Sequence, residues 1–241
     1  MKLAIRPDAA VFVLTGAGIS AESGISTFRD AGGVWERHDL RQVATPEGFR
    51  ANPALVWRFY SERRRQGEKC TPNAGHSALG GLERYLEGRG RFTLATQNVD
   101  GLHQRAGSRD VLTLHGSLYR SRCSNERCPR KEGFEDHGLY PDGPPHCDAC
   151  GALLRPDIVW FGEYLDPGIE QRARTAAAES DVFIAVGTSG AVYPAAGYAA
   201  IAAMGGSRTI LVNLDPPENI YIFGEFHRGK AGEILPGLLA P

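Results

Sequence analysis

The spacing Cys123-x4-Cys128, then 18 residues, then Cys147-x2-Cys150 is the feature that most limits how this 241-residue chain can fold. Two close thiol pairs on two knuckles converge as a tetrahedral sulfur site, which suits zinc. His137 and His146 lie nearby as substitute ligands, but four sulfurs already fill a tetrahedron. A closed four-thiolate shell leaves no position for water or substrate, so one structural zinc per chain is expected rather than a catalytic one. The stretch 119–151 is rich in Pro and Gly and has little apolar periodicity. It reads as an inserted module that a metal would have to hold together. Cys70 falls outside the pattern and reads as a lone packed or surface thiol. Five cysteines, an odd number, argue against a disulfide framework and suit a reducing compartment.

Around this module the chain alternates short apolar runs with helix-sized pieces. Residues 10–16 (AVFVLTG), 91–98, 111–116, 181–190 and 208–216 read as strands, and 157–162 (DIVWFG) as extended. Residues 71–88, 167–180 and 194–206 read as helices, the first with Thr71 as N-cap, Pro72 at the first helical position and Gly88 as the stop. This rhythm predicts an α/β fold, a doubly wound parallel sheet interrupted by the cysteine module. An apolar fraction of 42% and a net charge of −1 describe an ordinary globular protein with no global pull towards nucleic acid or anionic membrane. No apolar run reaches the roughly 18–20 residues that span a bilayer, and Arg6 and Asp8 interrupt any signal-like N-terminal run. The expectation is a cytoplasmic protein without nucleic-acid or membrane partners.

The run LTGAGISAESG (14–24) sets Gly16-x-Gly18-x-x-Ala21 between a strand and a helix. In that context glycines let a dinucleotide pyrophosphate approach the backbone, and a helix N-terminus meets its charge; the competing reading is a tight strand–helix turn. An ordinary dehydrogenase would place a ribose-binding acid at the end of a second strand about 20 residues on. Glu36 and Asp39 fall there, but FRDAGGVWERHD reads as a charged, Gly-rich loop. TQNVDGLH (96–103) and TLHGS (113–117) follow strand ends, where open α/β sheets bind ligands. Gln97, Asn98, Asp100 and His115 are therefore candidates, against an Asx turn at Asn98 and Asp100 and a structural histidine at 115.

Taken in order, GAGIS (16–20), GISTFRD (24–30), TQNVDGLH (96–103), LHG (114–116), the four cysteines, RPDIVWFGE (155–163), GTS (187–189) and VNL (212–214) resemble the sirtuins. These are NAD-dependent protein-lysine deacylases. The resemblance covers about residues 10–240 and implies a large Rossmann-like domain with a small zinc-bearing one. It divides the chain into 1–31, 71–118 and 157–241 for the former, and 32–70 and 119–156 for the latter. NAD contacts are implied for Gly16, Ala17, Gly18, Arg29, Gln97, Gly187, Thr188, Ser189, Asn213 and Ala231, with Asn98 and Asp100 receiving the nicotinamide end. His115 resembles the catalytic base. VWFGE (159–163) resembles the strand that pairs with substrate, with Val159 and Phe161 lining the acyl-lysine tunnel and Gly162 and Glu163 beside them. Ser26 departs from the usual proline.

The run VWRFYSERRRQ (56–66) carries Leu55, Val56, Phe59 and Trp57 at helical spacing, a face that can cover a core. Arg58 and Arg65 then point to solvent. Tyr60 and Arg63 share a face one turn apart. This Tyr-x-x-Arg resembles the pair marking sirtuins that remove succinyl and malonyl groups. It implies that both residues bind a distal carboxylate; Arg64 becomes the next candidate only if Arg63 proves to support the fold. The expected function is NAD-dependent removal of acetyl, succinyl and malonyl groups from protein lysines by a monomer, releasing nicotinamide and O-acyl-ADP-ribose. Protein mono-ADP-ribosyl transfer is the alternative; a binding module and a dehydrogenase are weaker readings.

Overall fold

A computed structural model describes residues 2–25 and 39–240. Arg29, Ser26 and Glu36, with the rest of 26–38, lie outside the described residues. The strands are β1 (Ala10–Thr15), β2 (Arg91–Thr96), β3 (Val111–Thr113), β4 (Gly116–Cys123), β5 (Phe134–Glu135), β6 (Leu154–Ile158), β7 (Val182–Val186), β8 (Arg208–Asn213) and β9 (Glu225–Arg228). The α-helices are α1 (Leu40–Val43), α2 (Pro46–Ala51), α3 (Pro53–Lys69), α4 (Ala74–Leu86), α5 (Leu102–Arg105), α6 (Pro167–Ala178), α7 (Tyr198–Met204) and α8 (Ala231–Leu238). Among the described residues a six-stranded sheet runs β3-β2-β1-β7-β8-β9, and a three-stranded sheet runs β5-β4-β6. Pairings within the large sheet are parallel, those of the small one antiparallel. With the small sheet set aside, the large one has the doubly wound order, and the strand order reverses between β1 and β7 while every strand stays parallel.

Period-two alternation sorts the strands' side chains between two cores. Val11 and Val13 of β1 join Ile184, Val186, Ile210 and Val212 under α4 and α8, through Leu79, Leu82, Leu86, Leu235 and Leu238. Phe12 and Leu14 point the other way, to Phe183, Ala185 and Leu211 under α6 and α7. Small residues there (Ala173, Ala177, Ala199, Ala202) let the helices lie close, and Phe12 stacks on Phe183 at 5.4 Å. Each such fully buried large side chain contributes about 1.5–3 kcal/mol.

A third core lies beneath α3. Asn52 caps this helix by accepting from Leu55 N at 3.0 Å, and Pro53 occupies its first turn. Val56, Trp57, Phe59 and Tyr60 are buried against Leu118, Leu154, Ile158 and Trp160, with Leu55 partly buried, as the helical spacing predicts. Arg58 and Arg65 are exposed. Arg64 is not a substitute for Arg63. It is fully buried and faces away, donating to Leu118 O at 2.6 Å, Gly138 O at 2.5 Å, Arg120 O at 3.3 Å, Ser121 Oγ at 3.2 Å and Asp136 Oδ2 at 3.3 Å. It staples α3 to β4, and breaking so buried a pair costs on the order of 3–5 kcal/mol.

Three expectations shift. Helix α4 begins at Ala74, with Asn73 rather than Thr71 as its cap: Asn73 Oδ1 accepts from Gly75 N and His76 N, and the His76 ring takes the Asn73 N–H in return. That reciprocal box outcompetes a lone threonine. The 157–162 stretch is extended only to Ile158, after which Glu163 N bonds to Trp160 O in a turn with Gly162 at φ +88°. The helix expected after the glycine turn is, among the described residues, two 3₁₀ turns, Ala17–Ile19 and Ala21–Ser23; Asp39, read as no part of a ribose-binding strand, caps α1 through Arg41 N at 2.9 Å. No described helix is long and apolar enough to cross a membrane.

Candidate active site

The site forms where β1 and β7 end side by side. The chain leaves β1 at Gly16 and β7 at Gly187, whose φ is +58°. Gly18 N donates to Gly187 O at 2.9 Å, and a Cβ on Gly18 would lie 2.7 Å from Gly187 Cα. Side chains at either position would push the two crossing loops apart, so glycine here keeps peptide groups at the switch point, where open sheets bind ligands. Thr188 ties the loop to its neighbours: Gln97 Nε2 donates to its Oγ1 at 3.0 Å and Asn213 Nδ2 to its carbonyl at 3.0 Å. Glu22, just after Gly18-x-x-Ala21, accepts from Gly232 N at 2.7 Å and holds the start of α8, with Ala231, against this edge.

Beneath the glycines is a buried polar cluster. Ser20 Oγ donates to Asp100 Oδ2 at 2.7 Å and accepts from Asn98 Nδ2 at 3.0 Å. Asp100 Oδ1 accepts from Leu102 N at 2.9 Å, so the Asx-turn reading of this residue holds as well. His76 Nε2 lies 3.4 Å from Ser20 Oγ, and His103 Nε2 lies 2.9 Å from Thr15 Oγ1. The two imidazoles meet edge to face at 4.9 Å. Burial lowers His76 to a pKa of about 4, against the pull of Asp100, and burial with His76 beside it lowers His103 to about 3. Both are neutral near pH 7.

His115 sits between β3 and β4, half-buried, with Nδ1 3.0 Å from Gln97 O. A carbonyl only accepts, so Nδ1 carries the proton and Nε2 keeps its lone pair. Burial lowers the His115 pKa, the Gln97 bond opposing, which favours the neutral, proton-accepting form. Gly116 follows because nothing larger fits: a Cβ there would lie 2.1 Å from Asp157 O. Val159 N donates to His115 O at 3.0 Å and brings the 159–163 segment alongside.

One cavity of about 1260 Å³ collects these groups. Its lining includes Gly16, Ala17, Gly18, Gln97, Asn98, Asp100, Gly187, Thr188, Ser189, Asn213 and Ala231 on the sheet side, His115 in the middle, and Tyr60, Arg63, Val159, Phe161, Gly162 and Glu163 on the side of α3. The structure thus brings together His115 and every cofactor- and substrate-binding residue expected from the sequence except Arg29, which lies outside the described residues; the four cysteines cluster elsewhere. Phe161 is half-exposed at the mouth, beside Tyr164. Glu163 lines the wall but commits its carboxylate to Arg155 at 2.6 and 2.9 Å and to Trp160 N at 2.9 Å. Burial pulls the Arg63 guanidinium below its ordinary value, with Tyr60 and Asp100 pulling the other way. Burial pushes Tyr60 up to about 12, opposed by the Trp160 bond and the Arg63 and Arg155 charges. Sequence reasoning passed over Trp160, Ser20, His76 and His103. Ser20 had a signal in its place after the glycine turn; the others are defined by contacts distant in sequence.

The four cysteines fit zinc. Their sulfurs lie within 4.8 Å of one another, with Cys123 to Cys150 at 3.5 Å and Cys128 to Cys147 at 3.7 Å. A tetrahedron with Zn–S bonds near 2.3 Å has edges of about 3.8 Å. These four residues are placed to hold one structural zinc: Cys123 ends β4, the other three lie in loops beside the small sheet, and none lines the cavity. His137 and His146 are engaged elsewhere, with Glu135 and with Gly151 O.

The model of the Sir2 family matches residues 16–194. The chain belongs to the Sir2 family. Among relatives, an NAD-dependent protein deacylase 2 of Pyrobaculum aerophilum is 48% identical over 94% of this chain and 88% of its own length. An NAD-dependent protein deacylase of Pasteurella multocida is 46% identical over 95% and 96%. Among Sir2 structures, a Sir2 homologue in complex with NAD superposes with a TM-score of 0.88 at 42% identity, covering 97% of this chain and 89% of that one. A Sir2 bound to a p53 peptide and NAD+ gives 0.80 at 31% identity, covering 94% and 90%.

Proposed function

We propose that this chain is an NAD-dependent protein-lysine deacylase whose acyl tunnel ends in a carboxylate-reading pair, Tyr60 and Arg63, so that succinyl- and malonyl-lysine are substrates beside acetyl-lysine. The deacylase reading is supported by family membership and by relatives of that name. The acyl reading rests on one observation: Tyr60 and Arg63 line the same cavity as His115 and the glycine loops. A succinyl carboxylate in an apolar tunnel would be left unpaired at a cost of several kcal/mol. A guanidinium fork takes both oxygens and a phenol adds a further donor.

In this reading NAD is a glycosyl donor. The sheet-side residues Gly16, Ala17, Gly18, Gln97, Gly187, Thr188, Ser189, Asn213 and Ala231, with Arg29 from the loop, hold the dinucleotide. Asn98 and Asp100 receive its nicotinamide end. The acyl oxygen attacks the nicotinamide ribose and nicotinamide leaves. His115 Nε2 then takes a proton from a ribose hydroxyl, which attacks the tethered acyl carbon; water completes release of lysine and O-acyl-ADP-ribose. Val159, Phe161 and Gly162 line the acyl-lysine entrance, and Glu163 fixes the turn that carries them. The two domains are read as 1–31, 71–118 and 157–241, and 32–70 and 119–156. The separate core under α3 supports that division, with Leu118, Ile158 and Trp160 at the junction. A cytoplasmic monomer is the form proposed, the compartment on cysteine usage.

The test is a panel of acetyl-, malonyl- and succinyl-lysine peptides assayed on wild type and on Arg63→Met. The ratio of desuccinylation to deacetylation kcat/KM should fall by about 100-fold or more, the worth of a desolvated charge pair. An equal loss on both substrates would mean that Arg63 supports the fold and does not read the acyl group.

A further inference from the structure

The phenol oxygen of Tyr60 is held by a donor. Trp160 Nε1–H reaches Tyr60 Oη at 2.9 Å in the buried junction between α3 and the 160–163 turn. An indole nitrogen can only donate, so Tyr60 accepts there and its own hydrogen is turned elsewhere. Among the described residues no group accepts that hydrogen. Tyr60 and Trp160 both line the cavity, alongside Arg63. Trp160 is itself gripped from three sides. Its backbone N–H donates to Glu163 Oε2 at 2.9 Å, the Arg155 guanidinium carbon lies 3.5 Å from its ring centroid, and Phe49 packs at 5.4 Å. Arg155 in turn grips Glu163 with two nitrogens, at 2.6 and 2.9 Å.

We propose that Trp160 is a positioning residue for acyl selectivity: by filling the acceptor side of the Tyr60 hydroxyl, its indole N–H fixes the phenol as a hydrogen-bond donor aimed into the cavity, at the distal carboxylate of a dicarboxylic acyl-lysine. This rests on the reading that Tyr60 and Arg63 bind that carboxylate. A carboxylate only accepts. A phenol free to rotate would meet it with a lone pair in part of its orientations, and the indole removes those. The ion pair of Arg155 and Glu163 acts on the substrate only through the ring it clamps. A neutral acyl chain of similar length, butyryl for instance, has no acceptor at its end and gains nothing from the arrangement. The selectivity therefore belongs to a relay of three elements, α3, β6 and the turn after it, and not to Tyr60 and Arg63 alone.

Trp160→Phe keeps an aromatic ring against Phe49 and Arg155 and removes the N–H. Where phenylalanine packs too poorly to fold, 3-benzothienylalanine at position 160 retains the bicyclic shape and replaces N–H by sulfur. Steady-state kinetics on succinyl- and acetyl-lysine peptides are measured for this variant, for Tyr60→Phe and for the double variant. Either position-160 replacement should lower the succinyl-to-acetyl ratio of kcat/KM by about 5–15-fold, the worth of one hydrogen bond. The loss should appear in KM for the succinyl peptide, and the double variant should be no worse than Tyr60→Phe alone. Additive losses in the double variant, an unchanged ratio with benzothienylalanine, or a fall confined to kcat on both peptides would overturn the role of Trp160. Arg63→Met separates the two readings. If it retains the ratio, the carboxylate reading itself fails; if it loses the ratio while the position-160 variants keep it, only the Trp160 relay fails.

Discussion

His115 draws its chemistry from one hydrogen bond and its surroundings. The Gln97 carbonyl fixes the proton on Nδ1, and burial lowers the pKa, so Nε2 is available as a base below the ordinary histidine value. With His115 as the proposed base, activity should rise as pH rises through that pKa. The acid limb of kcat/KM should therefore lie below pH ~6.5, the free histidine value, and a limb at or above it would remove His115 as the titrating group. His115→Ala should lower turnover by about 10²–10⁴-fold, the usual share of a general base, while NAD binding measured by calorimetry survives; near-normal turnover contradicts the assignment. At this scale the sequence was legible wherever a residue's role is set by its immediate neighbours. Gly16, Gly18 and the four cysteines carry their meaning in their spacing. Arg64 does not: its partners on β4 and at 136–138 are more than 50 positions away, so nothing local distinguishes it from Arg63.

Helix α4, helix α5 and strand β1 meet through two buried neutral histidines, and this makes the joint sensitive to acid. His76 and His103 have folded pKa values of about 4 and about 3, depressed from the unfolded value near 6.5. Above pH 6.5 neither state binds the proton and their stabilising contribution is complete. As pH falls below 6.5 the unfolded chain takes up protons that the folded one refuses, and stability declines by about 1.4 kcal/mol per pH unit for each histidine until its folded pKa is reached. Urea unfolding at pH 7 and pH 5 should show this loss, and His103→Gln should flatten the slope by one histidine's share. Equal stability at the two pH values would contradict it. Elements with strong internal patterns, β1, β2, β7 and β8, were legible because both faces are apolar. Strand β9 (EFHR) is a four-residue edge and α8 carries Pro236 within eight residues, so neither shows a clean period. The turn at 160–163 was hidden in a run of extended-looking residues and is set by Gly162 and by the Glu163 clamp.

For the whole molecule, two kinds of glue divide the labour. The large sheet buries apolar side chains on both faces, whereas the β5-β4-β6 module leans on four cysteines and on Arg64. Cys147→Ser should lose the metal, lower the melting temperature and take activity down with it, because β4 and β6 lead directly into His115 and the 159–163 segment. Metal analysis alongside the melting curve checks this, and a zinc-free protein with full activity would contradict the structural role. The doubly wound sheet and the inserted module were legible from the alternation of short strands and helices and from the cysteine spacing. The convergence of α3 on the cavity was legible only through resemblance, since Tyr60 and Trp160 meet across 100 positions. In the proposed reaction NAD accepts the acyl group and the lysine is left bare. Mass spectrometry of one reaction with NAD and a succinyl-lysine peptide tests it most directly. One nicotinamide, one O-succinyl-ADP-ribose and one unmodified lysine are expected for each NAD consumed; ADP-ribose attached to the peptide, or NAD consumed with the succinyl group still on lysine, would rule out acyl transfer to NAD.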